Sequence, residues 1–265
     1  MSYLKENVLK ILDYNIRCCH DGEGRMVGDR APRLFKLIEE TKPDIIALQE
    51  GSWRWMPLLE DNLYREYAMR YCYRLRKSRE STPLLWRRDR FDLVDEGHFW
   101  LSETPDAPSF GFGQTRYARV CTWVKLRVKA TGKEFFYFCT HMNGDNASTV
   151  GSGNVIMQYA EEMGAFTECG ALLSGDFNLT PHTPGYENLN NSGKFRDVND
   201  ALGFDPTSTV NGYNDPDYAH DRIIDYVFHT PDFIEPLKYE VLNKEYFGGY
   251  ISDHKGLWVE VAIKE

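Results

Sequence analysis

Three apolar runs in this 265-residue chain end on side chains that can do chemistry. Ala171-Leu172-Leu173 leads into Gly175-Asp176-Phe177-Asn178, which places a carboxylate and a carboxamide two residues apart. Asp44-Ile45-Ile46-Ala47-Leu48-Gln49-Glu50 ends on a carboxylate, and Tyr250-Ile251-Ser252-Asp253-His254 sets aspartate beside histidine. A buried strand that stops on a polar group delivers it to a sheet rim, where open α/β folds place their ligands. Carboxylates, amides and imidazoles gathered there suit a hard divalent cation such as Mg²⁺ or Mn²⁺. The chemistry such a set supports is attack of water on phosphorus, in which positioning and charge neutralisation dominate.

The elements that must position these groups follow from pattern. Val8-Leu9-Lys10-Ile11-Leu12 opens a buried strand that ends on Asn15, and the three glycines of 21–28 mark a loop. A helix is expected from about Pro32, with Leu34, Leu37 and Ile38 at helical spacing, stopped by Lys42-Pro43-Asp44. A short helix should start near Ser52. Leu84-Leu85-Trp86 and Phe91-Asp92-Leu93-Val94 read as a hairpin, and Val120, Thr122, Val124, Leu126 and Val128 as a half-buried strand. Thr131-Gly132-Lys133 turns that strand into Phe135-Phe136-Tyr137-Phe138, which ends on Thr140-His141. A helix fits 154–169, long surface loops fit 180–221, and strands fit 222–228, 239–242 and 256–263. The strand of 222–228 holds Asp225 between Ile224 and Tyr226, where a carboxylate is costly unless something pairs with it. Strand-rich halves with a helix or two each predict a four-layer α/β sandwich, two packed sheets with helices outside, as one domain over 1–265.

Bulk properties narrow the function classes. The formal charge of −9 and pI near 5.4 weigh against non-specific grip on long nucleic acid and favour a small or locally held phosphate ester. The basic stretch is 70–90, with Arg70, Arg74, Arg76, Lys77, Arg79, Arg87, Arg88 and Arg90; it is either a solvated face or a phosphate-facing patch. No run of about eighteen apolar residues offers a membrane span. The first residues lack the order of a signal peptide, so a cytoplasmic location is expected. All six cysteines read as reduced, mostly buried thiols, and the adjacent Cys18 and Cys19 as unable to bridge easily.

The ordered set Tyr14-Asn15, Leu48-Gln49-Glu50, Thr140-His141, Gly175-Asp176-Phe177-Asn178, Ile224-Asp225-Tyr226 and Ser252-Asp253-His254 resembles the endonuclease/exonuclease/phosphatase superfamily. Leu101-Ser102-Glu103-Thr104-Pro105 and the segment from Arg119 to Trp123 further resemble its bacterial branch of family hydrolases. The resemblance implies a deoxyribonuclease I-like sandwich and a Mg²⁺-dependent phosphoesterase, with Mn²⁺ as substitute. It implies that Glu50 is the main metal ligand, with Asn15 and Asp253 beside the ion. Asp176 and Asn178 would orient or deprotonate the attacking water, and His141 would hydrogen-bond the scissile phosphate. His254, oriented by Asp225, would stabilise the phosphorane charge or act as acid/base. Arg17, Arg30, Arg119 and Asn143 are candidate substrate contacts. Asn143 stands where many relatives have aspartate, Tyr14 where tryptophan is common, and 146–154 lacks their frequent arginine. The partner expected is a phosphate ester, with a nuclease as the alternative and a non-catalytic phosphate-binding protein a further one. A zinc hydrolase fits poorly, because zinc sites want more nitrogen or sulfur.

Overall fold

The computed structural model describes residues 5–214 and 222–265. Twelve strands make two sheets. They are β1 (Val8–Asn15), β2 (Ile45–Gln49), β3 (Tyr67–Arg70), β4 (Leu84–Arg87), β5 (Phe91–Trp100) and β6 (Val120–Val128), then β7 (Glu134–His141), β8 (Ala171–Asp176), β9 (Arg196–Asp197), β10 (Asp225–His229), β11 (Ile234–Leu242) and β12 (Gly256–Ile263). One sheet runs β11-β12-β1-β2-β4-β3 and the other β9-β10-β8-β7-β6-β5. Each has a single parallel pair, β1/β2 or β7/β8, among antiparallel neighbours. A parallel pair needs a crossover. Helix α1 (Val27–Thr41) links β1 to β2, α2 (Met56–Leu63) follows β2, and α3 (Asn146–Glu162) links β7 to β8.

Three apolar layers separate the elements. Ile11, Ile45, Leu84 and Trp86 meet Leu126, Phe135, Tyr137, Leu172 and Val227 between the sheets. Leu12, Tyr14, Ile46 and Leu48 pack outward on Leu34, Leu37 and Leu59, while Phe136, Phe138 and Leu173 pack outward on Ile156 and Ala160. The result is the expected four-layer α/β/β/α sandwich. No helix among the described residues is long and apolar enough to cross a membrane.

Several local expectations are corrected. Helix α1 begins at Val27, before Pro32, because its first turn has other partners: Val27 N donates to His20 Nδ1 (3.1 Å) and Met26 N to Asp29 Oδ2 (3.1 Å). Helix α3 starts at Asn146, capped by Asp145, whose Oδ1 accepts from Ser148 N at 2.9 Å; Gly151 and Gly153 disguise its first turns as loop. The apparent hairpin is a crossing between layers, since β4 pairs with β2 and β3 while β5 pairs with β6. The stretch 180–214 is not all loop: α4 (Pro184–Asn190), β9 and α5 (Val198–Ala201) interrupt it, and 215–221 lie outside the described residues.

His229 on β10 gives the sandwich a pH signature. Its Nδ1 lies 2.8 Å from the Ile234 carbonyl, and burial outweighs that bond and pushes its pKa down to about 4. The folded state therefore keeps it neutral while the unfolded chain takes up a proton near pH 6.5. Stability is full above that pH and is lost as pH falls toward 4, by up to about 3 kcal/mol. Urea titrations of His229→Leu between those limits should show a flatter dependence than the wild type; an identical slope would rule His229 out as the cause.

Candidate active site

The site grows out of period two. On the inner face of β1 the series Leu9, Ile11, Asp13, Asn15 passes from apolar to polar toward the strand end. The inner rows Ile45, Ala47, Gln49 of β2, Tyr137, Cys139, His141 of β7 and Leu172, Ser174, Asp176 of β8 do the same. Beneath the rim lies a buried polar layer. Gln49 Nε2 and Ser174 Oγ donate to Asp13 Oδ1 at 2.9 and 2.7 Å, and Tyr137 OH donates to Ser174 Oγ at 3.0 Å. Burial, with Asp225 nearby, pushes Asp13 well above the usual carboxylate range.

Asp176 stands at the centre. In the ladder it is in register with His141 on one side and Asp225 on the other. Gly175 makes that placement possible: its φ is +148°, and a Cβ there would lie 1.9 Å from the Thr140 carbonyl oxygen. From the opposite sheet Asn15 Nδ2 donates to Asp176 Oδ2 (2.9 Å) and reaches Glu50 Oε1 (3.3 Å), so one amide joins the two sheets' carboxylates. Asn15 Oδ1 accepts from Arg17 N at 3.0 Å. Asn178 N donates to Asp176 Oδ1 at 2.9 Å. His254 Nε2 approaches Asp176 Oδ2 at 3.7 Å, and its Nδ1 lies 2.9 Å from Asp225 Oδ2, which also accepts from Thr209 Oγ1 at 2.6 Å. Glu50 follows directly on β2 with φ +62°, a left-handed conformation uncommon for glutamate, and its Oε2 accepts from Cys18 N at 2.7 Å.

Environment separates the titrating groups. Burial would raise Glu50, but the Cys18 N–H and the charges of Arg17 and His254 hold it below its ordinary value. Asp176 is pushed up to about 7 by burial and by Asp225, against the pull of His254 and Asn15. Burial disfavours the His254 cation, yet Asp225, Asp176 and Asp253 outweigh it and raise His254 to about 10. His141 moves the other way, depressed by burial and by Arg119, Arg74 and His254, so it stays neutral. Asn178 Nδ2 donates to the Met142 carbonyl and to His141 Nε2, both at 3.0 Å, which leaves the imidazole proton on Nδ1.

Asn15, Glu50, His141, Asp176, Asn178, Asp225 and His254 thus share one rim. Asp253 joins it through Arg17, whose Nε is 3.8 Å from Asp253 Oδ2 and 3.0 Å from Asp21 Oδ2. Arg119 Nε donates to Asn143 Oδ1 at 2.9 Å beside them. Arg30 is the correction. It is fully buried, and its five N–H donors are taken by the carbonyls of Arg25, Ile16, Ile251, Arg17 and Cys19, so it clamps the loop and has nothing left for a substrate. The basic stretch divides: Arg74 pairs with Glu80 (2.7 Å), Arg87 with Asp89 and Arg90 with Asp44, whereas Arg76, Lys77 and Arg79 line a surface notch with Trp53. Glu80, 3.9 Å from His141 Nδ1, and Thr209 under Asp225 have no signature in sequence, because Glu80 sits on a two-residue strand paired with Gly51–Ser52 and Thr209 on a loop. The cysteines are all free, but only Cys121 and Cys139 are buried; the sulfurs of Cys18 and Cys19 are 2.7 Å apart.

Comparison with known proteins identifies the family. The model of the Endonuclease/Exonuclease/phosphatase family matches residues 14–254. A family protein from Bacteroides thetaiotaomicron superposes with a TM-score of 0.88 at 27% identity, covering 97% of this chain and 98% of its own. A mannosyl-6-phosphatase from the same organism gives 0.85 at 27% identity, covering 96% and 100%. D. rerio TDP2, complexed with a single-strand DNA product, gives 0.75 at 18% identity over 96% and 98%, a likeness of fold. The chain belongs to the endonuclease/exonuclease/phosphatase family and is a hydrolase of phosphoester bonds.

Proposed function

We propose that this hydrolase is a Mg²⁺-dependent phosphoesterase, with Mn²⁺ able to substitute, in which water attacks phosphorus directly and no covalent enzyme intermediate forms. The observation that carries the reading is the meeting of Asn15 and Glu50 from one sheet with Asp176, Asp225 and His141 from the other, beside His254. The donor set fits the ion: Glu50 is held ionised, and Asn15 Oδ1 keeps a second lone pair after accepting from Arg17 N. Glu50, with Asn15 and Asp253, would hold it, and when bound it supplies charge neutralisation at a phosphoryl oxygen. Asp176 and Asn178 orient the attacking water, and Asp176 is the group able to take its proton. His141 hydrogen-bonds the phosphate. His254, charged and fixed by Asp225, stabilises the phosphorane and can protonate the leaving oxygen.

A small ester is favoured by the net charge of −9 and by the likeness, at 27% identity, to a mannosyl-6-phosphatase. A nuclease is the second reading. It is favoured by exposed Trp53, with the Arg54 guanidinium 4.3 Å from its ring and Arg76, Lys77 and Arg79 beside it, a combination suited to stacking a base along a basic edge. Calorimetry tests the ligand set: Glu50→Gln should weaken Mg²⁺ binding by about tenfold or more, and unchanged affinity would remove Glu50 from it.

A further inference from the structure

The neutral His141 divides the rim. Its Nε2 side faces Asp176 and Asn178, and its Nδ1 side faces a notch lined by Arg74, Glu80, Ser81, Thr82 and Arg119. Two donors there lack partners in the free protein: His141 Nδ1, which serves the phosphate being cleaved, and Arg119 Nη1, on a residue 8% exposed, both buried without a hydrogen bond. A buried donor left unpaired is costly, and a second acceptor beside the reacting phosphate would relieve Arg119 Nη1.

Charge at the same place points to an anion. The guanidinium carbons of Arg74, Arg116 and Arg119 lie 5.2, 4.9 and 5.3 Å from the ring of Tyr117, itself exposed at the surface. Glu80 neutralises Arg74, and among the described residues neither Arg116 nor Arg119 has a carboxylate partner within ion-pair distance. Three cations this close repel one another, which Glu80, Asp176 and Glu50 offset in part at Arg119, and a further negative group would relieve the rest. Burial and Arg74 already push the Arg119 pKa down to about 10.

We propose that the wall of Arg74, Arg116, Arg119 and Tyr117 is a second anion subsite, which takes a second phosphate carried by the substrate next to the phosphate being cleaved. Guanidinium forks match phosphate oxygens in pairs, and the Tyr117 face holds the forks in place. The notch adjoins His141 on the side away from Asp176, so the second phosphate sits beside the reacting one. This rests on the phosphoesterase reading and narrows its substrate class to esters with two neighbouring phosphates.

The test reads binding, so it does not depend on turnover. Calorimetry in EDTA compares straight-chain alkyl monophosphates with the corresponding α,ω-bisphosphates, from propyl to hexyl, and with a dinucleotide bearing two phosphates. The wild type should bind at least one two-phosphate probe about tenfold more tightly than the matched monophosphate, and Arg116→Ala should bring that ratio close to one. A preference for an alkyl bisphosphate assigns the second phosphate to a small molecule, and a preference for the dinucleotide assigns it to a nucleic acid; either upholds the subsite. A ratio near one in the wild type, a ratio that Arg116→Ala leaves unchanged, or no binding of any two-phosphate probe would overturn it. Loss of all turnover with the ratio intact would instead count against the phosphoesterase reading.

Discussion

Asp176→Ala is expected to lower kcat by about three orders of magnitude or more while leaving the fold as stable as the wild type, or more so. Activity should fall because Asp176 touches groups from both sheets: Asn15 at 2.9 Å, His141 at 3.4 Å, His254 at 3.7 Å and the Asn178 backbone at 2.9 Å. Stability should hold because burial and Asp225 make its charge unwelcome, as its raised pKa records. Gly175, which sets the close approach of β8 to β7, is untouched by the change. Kinetics and urea unfolding on one preparation separate the two effects. Activity lost in proportion to stability would mean that Asp176 is a structural residue.

The second large effect concerns Asp225 and His254. His254→Ala should reduce kcat by about 10²–10⁴, since the cation near the developing charge disappears. Asp225→Ala removes the partner 2.9 Å from Nδ1 and the acceptor of Thr209 Oγ1, so His254 loses both its charge and its orientation. If Asp225 acts through His254, the double variant loses little more than His254→Ala alone. Multiplicative losses would show that Asp225 works elsewhere, for instance through Asp176, its neighbour in register.

How far these residues were legible in sequence depends on how local their signals are. Asn15, His141 and Asp176 end apolar strands, and a strand's period carries its last side chain to a calculable face. Glu50 instead follows β2 and reaches the site through its left-handed φ, which period two does not give. Asp225 was legible from cost alone, a carboxylate flanked by isoleucine and tyrosine. Arg30 misled because an arginine in a glycine-rich region looks the same whether its donors are free or spent on five backbone carbonyls. Glu80, Arg74 and Tyr117 were illegible as a group, since only the segments before β4 and β6 bring them to His141 and Arg119. Two adjacent apolar runs, 84–87 and 91–94, read alike whether they pair or pass to opposite sheets. The four layers survived that error because they rest on the distribution of whole strands and helices.

The most direct measurement is hydrolysis of p-nitrophenyl phosphate, bis-p-nitrophenyl phosphate, a hexose 6-phosphate, a phosphoinositide and a plasmid, each with Mg²⁺, Mn²⁺ or EDTA. At least one phosphoester should be cleaved with Mg²⁺ by the wild type, and that turnover should vanish both in EDTA and in Asp176→Ala. Cleavage that persists in EDTA, or silence toward every phosphoester with Mg²⁺ present, would contradict a metal-dependent phosphoesterase.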